Sequence, residues 1–126
     1  MNNGQTDLLG LAASRLGWLD DRQRVLARNI ANADTPGYVP RDEQSFSKSL
    51  ADQTMAPAQT NAMHLAGSAD LTGTTTERPR QRSIDGNAVA LDEQMTKVAD
   101  TDTQQRLVTT LYGKYMSMYS TALGKG

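Results

Sequence analysis

His64 is the only imidazole this 126-residue chain offers. A Ser-His-Asp triad would have to be built on it, and no nucleophile-elbow sequence surrounds it. A metal site would rest on carboxylates around that one imidazole, because the chain has no cysteine. Asp92 and Glu93 are adjacent and so point to different faces of a helix rather than converging. Asp20 and Asp21 sit beside Arg22 and Arg24 and read as a solvated, charge-paired face. The one basic run, Glu77-Arg78-Pro79-Arg80-Gln81-Arg82, suits phosphates or an acidic neighbour. It has no interleaved aromatic on which bases would stack, and the formal net charge is −1, so it reads as a charged linker. The residue types therefore assign no catalytic residue, no metal ligand and no cofactor.

A different kind of chemistry sits in Asn29-Ile30-Ala31-Asn32-Ala33-Asp34-Thr35-Pro36-Gly37-Tyr38. The residue before a proline is pushed out of the α region, so a helix cannot continue through Thr35. Pro36 and Gly37 suit the two central positions of a type II turn, the second of which needs positive φ. Asn29, Asn32 and Asp34 carry side chains able to bond backbone groups freed at a helix end. The stretch is a stop signal that turns a long rod sharply.

The rod before it is amphipathic. Leu9, Leu16, Gln23 and Ile30 recur every seven residues, with Ala12, Leu19, Leu26 and Ala33 on the companion position. Gln23 is the one strongly polar member, at a place where polarity fixes register. A second row, Leu11, Trp18 and Val25, widens the apolar face beyond what one partner helix buries. Thr6 or Asp7 is the expected cap. Gly17 weakens the helix interior by roughly 1 kcal/mol relative to Ala, leaving its stability to packing.

A second helix is expected to start between Asn87 and Ala90, after the turn residues Asp85-Gly86-Asn87, and to run to about Leu123 with Gly124 as its stop. Leu91, Val98, Gln105, Tyr112 and Tyr119 fall on one seven-residue row; Val108, Tyr115 and Ala122 fall on its companion. Met95, Leu111 and Met118 widen the stripe, while Asp102 and Gln105 make its centre polar. Between the helices Pro40, Pro57, Pro79, Gly67 and Gly73 punctuate a segment without period. Such a segment is too poor in apolar residues to offset its ordering entropy, so residues 51–82 read as loop, with short extended pieces near 61–66 and 82–84. The organisation expected is thus 1–38, helix and turn; 39–86, irregular middle; 87–126, helix. The fold class is mainly α: two long terminal helices in an antiparallel coiled-coil hairpin with a partly extended middle. No apolar run approaches the roughly 20 residues of a membrane span, and Met1–Asp7 lacks the basic n-region of a secretory signal.

The pattern Asn29-x-Ala31-Asn32-x-x-Thr35-Pro36-Gly37-Tyr38 closely resembles the N-terminal motif of the bacterial flagellar rod and hook proteins. The flanking run from Arg22, with Arg41-Asp42 and Phe46 beyond it, is similar to the proximal-rod branch of that family. So is Asp85-Gly86-Asn87-x-Val89-x-Leu91-x-x-Gln94-Met95-x-Lys97-Val98-Ala99, and in patches the stretch from Thr60 to His64-Leu65. One departure is Ala90, where the family usually has an acidic residue; its loss removes a helix N-cap. The resemblance implies a non-enzymatic rod subunit that transmits torque between the membrane ring and export apparatus and the distal rod. It also implies export without a cleavable signal through a type III channel, and a place in the periplasmic basal body. Partners implied are rod proteins of the FlgC, FlgF and FlgG type, the rod adaptor FliE, the membrane ring and the export gate. The rivals are a FlgC-like rod protein and a small helical nucleic-acid-binding module resting on Arg78, Arg80 and Arg82.

Overall fold

The computed structural model describes residues 3–54, 74–76 and 89–124. Five elements follow in order: α1 (Asn3–Ala31), β1 (Arg41–Glu43), α2 (Phe46–Thr54), β2 (Thr74–Thr76) and α3 (Leu91–Ala122). The two terminal helices pack against each other as an antiparallel hairpin. Asn29 meets Gln94, Gln23 meets Val98 and Arg15 meets Gln104, so one helix descends as the other rises. The fold class expected from the sequence is the one found. At 1.5 Å per residue α1 and α3 are roughly 45 Å long each.

The helix ends have local causes. Ala33 N–H bonds Ile30 O and Thr35 N–H bonds Asn32 O, tightening the exit of α1 into three-residue turns. Helix α1 begins at Asn3, earlier than the cap expected at Thr6 or Asp7. Helix α3 begins at Leu91, with Ala90 extended at the cap and no side chain closing it. Asp92 and Glu93 in the first turn partly compensate by meeting the positive end of the helix dipole. At the other end Gly124 takes φ +71°, and its N–H bonds Thr121 O.

The middle is more ordered than the sequence reading of 51–82 as loop. Residues 51–54 are the last turn of α2, and Thr74–Thr76 form β2, antiparallel to β1 with Arg41 opposite Thr76 and Glu43 opposite Thr74. Ser45 caps α2: its Oγ accepts the Lys48 N–H, 3.4 Å away. Phe46, Ser49 and Leu50 then turn inward while Ser47, Lys48, Ala51 and Asp52 stay exposed. Expectations for 61–66, 82–84, His64 and Arg78–Arg82 fall outside the described residues.

Among the described residues the buried apolar side chains of the core are Trp18, Leu19, Val25, Leu26 and Val89. They are joined by buried polar ones: Asn29, Glu43, Ser49, Gln94 and Thr101. On α3 the row at the seam is Gln94 and Thr101, both buried, then Val108, half-buried; Val98, Gln105 and Tyr112 lie half-buried beside it. Leu91, Met95, Tyr115 and Tyr119, expected on the packing face, are exposed in the single chain. Leu91, Tyr115 and Tyr119 continue the same two rows toward the ends of α3 and are exposed there.

Candidate assembly site at the α1 exit turn

Asn29 is fully buried and all four hydrogen-bonding positions of its amide are used. Its Nδ2 donates to Arg41 O at 2.6 Å and to Gln94 Oε1 at 2.8 Å. Its Oδ1 accepts from Arg41 N–H and from the Tyr38 hydroxyl, both at 3.0 Å. One side chain thus joins the end of α1, the start of β1, the turn tyrosine and the first turn of α3. The sequence reading expected Asn29 to bond local backbone. It reaches 12 and 65 residues along the chain instead.

Asn32 keeps the local role. Its Nδ2 donates to Arg28 O at 2.8 Å, and its Oδ1 accepts the Thr35 hydroxyl at 3.2 Å. The Tyr38 N–H closes the turn on Thr35 O at 3.2 Å, with Gly37 at φ +75°. That is the type II geometry the Pro36-Gly37 pair requires. Pro36 and Ala31 are exposed, and the Asp34 side chain makes no hydrogen bond among the described residues.

A charged clamp supports the same corner. Arg22 holds Asp42 by two bonds, Nε to Oδ1 at 2.9 Å and a terminal nitrogen to Oδ2 at 3.0 Å. Lys97 of α3 lies 3.6 Å from the same carboxylate and 3.7 Å from Glu93. Burial pushes the Asp42 carboxyl up, but the Arg22 bonds and charge, the Glu43 N–H and Lys97 together hold it below its usual range. The bond to Asp42 raises Arg22 in turn. Arg22 was expected on the solvated face with Asp20 and Asp21. It turns inward, and Arg24 alone takes those two carboxylates, at 2.6 and 3.2 Å.

Trp18, from the second apolar row, is buried by the chain's own middle segment. Its indole N–H donates to Gln44 O at 2.9 Å, and its ring meets Phe46 of α2 at 6.1 Å with a tilt of 59°. Arg15 lies 4.5 Å above the Trp18 ring and 4.9 Å above Phe46, and bonds Gln104 of α3. Desolvation lowers the Arg15 pKa. Gln23 also reaches α3, donating to Val98 O at 3.3 Å. Among the predicted packing residues, Leu19 and Leu26 are buried, and Leu9, Leu16, Ile30, Val98, Val108 and Tyr112 are half-buried.

Sequence reasoning passed over Arg15, Arg22, Asp42 and Thr101 as structural residues. A signal existed only for α2: a Ser45 cap ahead of apolar residues at 46 and 50. Among the described residues no group of three or more His, Cys, Asp or Glu side chains is placed to hold a metal, and no helix is long and apolar enough to cross a membrane. What the corner does chemically is lock a chain reversal and present the surfaces around it.

The family model described as "Flagella basal body rod protein" matches residues 9–38, the stretch that contains α1 from Leu9 and the whole turn. A flagellar basal body rod protein FlgB of Escherichia coli K12 is 39% identical over 111 residues, covering 77% of this chain and 79% of the relative. The FlgB of Agrobacterium fabrum is 34% identical over 119 residues, covering 88% of each chain. That of Salmonella typhimurium is 35% identical over 107 residues, covering 75% of this chain and 77% of the relative.

Proposed function

The chain belongs to the FlgB family of flagellar basal-body rod proteins, and from that premise we propose that it is a structural subunit of the proximal rod, acting by assembly and without catalysis. The observation that carries the reading is the apolar surface that α3 leaves open. Among the described residues, five large apolar side chains are buried, whereas α3 alone exposes eight: Leu91, Met95, Leu107, Leu111, Tyr115, Met116, Met118 and Tyr119. Five of them, Leu111 to Tyr119, crowd the last turns of α3. Apolar surface of this extent marks contact with other chains, and in a rod the neighbours complete the core.

The turn supplies the rest. Locked by Asn29 and the Arg22–Asp42 clamp, it fixes where the chain leaves the helical pair, so each subunit presents its middle segment at one level. Torque then passes through packed helices from the membrane ring and export apparatus to the distal rod. The neighbours in this reading are rod proteins of the FlgC, FlgF and FlgG type, the adaptor FliE, the membrane ring and the export gate. The subunit reaches the periplasm through the export channel. The relatives named FlgB favour this branch over a FlgC-like one.

The test is a deletion strain examined by electron microscopy, with purified basal bodies probed for the protein. Loss of filaments, restored by the wild-type gene, together with the protein in the basal bodies, is expected. Normal flagella on the deletion strain, with no second copy of the gene, would overturn the reading.

A further inference from the structure

The outer side of the turn is an open cleft of about 570 Å³ lined by Arg28, Gly37, Tyr38, Val39, Arg41 and Thr76. Gly37 leaves its floor open: a Cβ there would meet nothing within 4 Å. Arg28 and Arg41 flank it, both are exposed, and neither has an ionic partner among the described residues. Other cations of this corner are committed: Arg22 and Lys97 to Asp42, and Arg24 to Asp20 and Asp21. Two uncommitted guanidinium groups across an open cleft suit a carboxylate, which arginine grips through paired N–H donors.

The same end of the molecule carries the complementary charge. Asp34 lies in the loop leaving α1 and Asp92 in the first turn of α3; both are exposed and neither has an ionic partner among the described residues. The Asn29–Gln94 bond puts the end of α1 and the start of α3 at one level of the hairpin. Two unpaired arginines and two unpaired carboxylates therefore stand at one height on one chain without meeting each other. Copies placed side by side about a common axis, each rotated from the last, would bring the cleft of one against the carboxylates of the next. A contact between two unlike patches propagates in this way, closing a ring or winding a helix.

We infer that the Arg28–Arg41 cleft docks the Asp34 and Asp92 carboxylates of a second copy of this chain. The inference rests on the reading of the chain as a rod subunit and names one lateral contact within it. Charge chooses the partner and its register, while the apolar rows provide the bulk of the burial.

The experiment uses the full chain in three forms: wild type, R28E/R41E and D34R/D92R. Circular dichroism and the fluorescence of the one tryptophan check that each is folded. Sedimentation velocity across a concentration series then reads self-association at low salt. The wild type is expected to associate, and each variant alone to weaken by about tenfold or more, since a like-charge contact replaces an attractive one. An equimolar mixture of the two variants is expected to regain association, because in an alternating arrangement each reversed cleft meets a reversed carboxylate patch and each native cleft a native one, all of opposite charge. A wild type that stays monomeric up to its solubility limit overturns the inference. So does an R28E/R41E variant that associates like wild type, or a mixture that fails to recover. In cells, normal rods built from R28E/R41E would refute this contact and leave the rod reading standing, whereas the deletion strain tests that reading alone.

Discussion

Asn29→Ala is the sharpest perturbation the structure offers, because a single small side chain serves four partners. Truncation strips the donor from Arg41 O and from Gln94 Oε1, and the acceptor from Arg41 N–H and the Tyr38 hydroxyl. Tyr38 is half-exposed and recovers water, so its loss is small. Gln94 is 1% exposed and cannot. A buried polar group left without its partner costs about 1–3 kcal/mol, and counting the two groups served by Nδ2 gives a destabilisation of about 2–6 kcal/mol. That is a large share of the 5–15 kcal/mol or so that a domain commands in total. Urea unfolding of the full chain, followed by the fluorescence of Trp18, reads the change directly. A shift under about 0.5 kcal/mol, the usual range for an inert surface change, would refute the role given to Asn29.

Asn29→Asp separates hydrogen bonding from packing. The new oxygen would face two acceptors at the positions Nδ2 now holds, 2.6 and 2.8 Å away. Only the protonated acid can donate there, so the folded pKa of this residue lies above its unfolded value of about 3.9. The folded state then binds more protons than the unfolded one, and stability relative to wild type falls as pH rises from about 4 and levels off above the folded pKa. A penalty that is equal at pH 4 and pH 7.5 would mean that the site is wetter than the geometry indicates.

Gly37→Val places a β-branched residue at φ +75°; it is expected to cost about 2 kcal/mol through backbone strain alone, since no neighbour clashes with the added Cβ. Motility and basal-body assembly should fall in that variant and stay normal in His64→Ala; the reverse pattern contradicts the assembly role of the turn. Asp42→Asn breaks the clamp and leaves Arg22 and Lys97 facing a neutral amide, for a loss of about 1–3 kcal/mol near neutral pH. Asp42 titrates below its usual range in the folded chain, so its contribution is fully present above the unfolded pKa of about 3.9 and is lost as pH falls through the lower folded value. The gap between wild type and Asp42→Asn should therefore be constant from pH 7 to about pH 5 and narrow below about pH 4; a gap unchanged at pH 3 would show that charge is not what Asp42 supplies.

The two long helices and the turn were legible because their causes are local. A seven-residue recurrence of apolar side chains, a proline that forbids helix before it, and a glycine where φ is positive each act within a few residues. The α2 helix offered only its Ser45 cap and the apolar pair at 46 and 50: nine residues are too few for a period to emerge. What holds it is non-local, the Phe46 ring against Trp18 and Arg15, 28 and 31 positions earlier. The Arg22–Asp42 pair was hidden for the same reason. Arg22 stands beside Asp20 and Asp21 in sequence, and only the folded path of the turn brings a better carboxylate to it.

The face of α3 was the hardest to assign, and the reason bears on function. Periodicity reports which residues are apolar, and the ordinary inference is that the apolar row meets the intramolecular partner. Here the seam with α1 is built from Gln94, Thr101, Gln104 and the backbone of Val98, met by Asn29, Arg15 and Gln23. Polar pairs at a helical seam lower stability relative to apolar ones but discriminate sharply between registers, because a slip leaves each amide unpaired. The large apolar residues of α3 that stay exposed lie mostly in its later turns, from Leu107 to Tyr119. On the proposed reading as a rod subunit, the polar seam sets the register within the chain, and neighbours would bury the apolar residues that α3 leaves exposed.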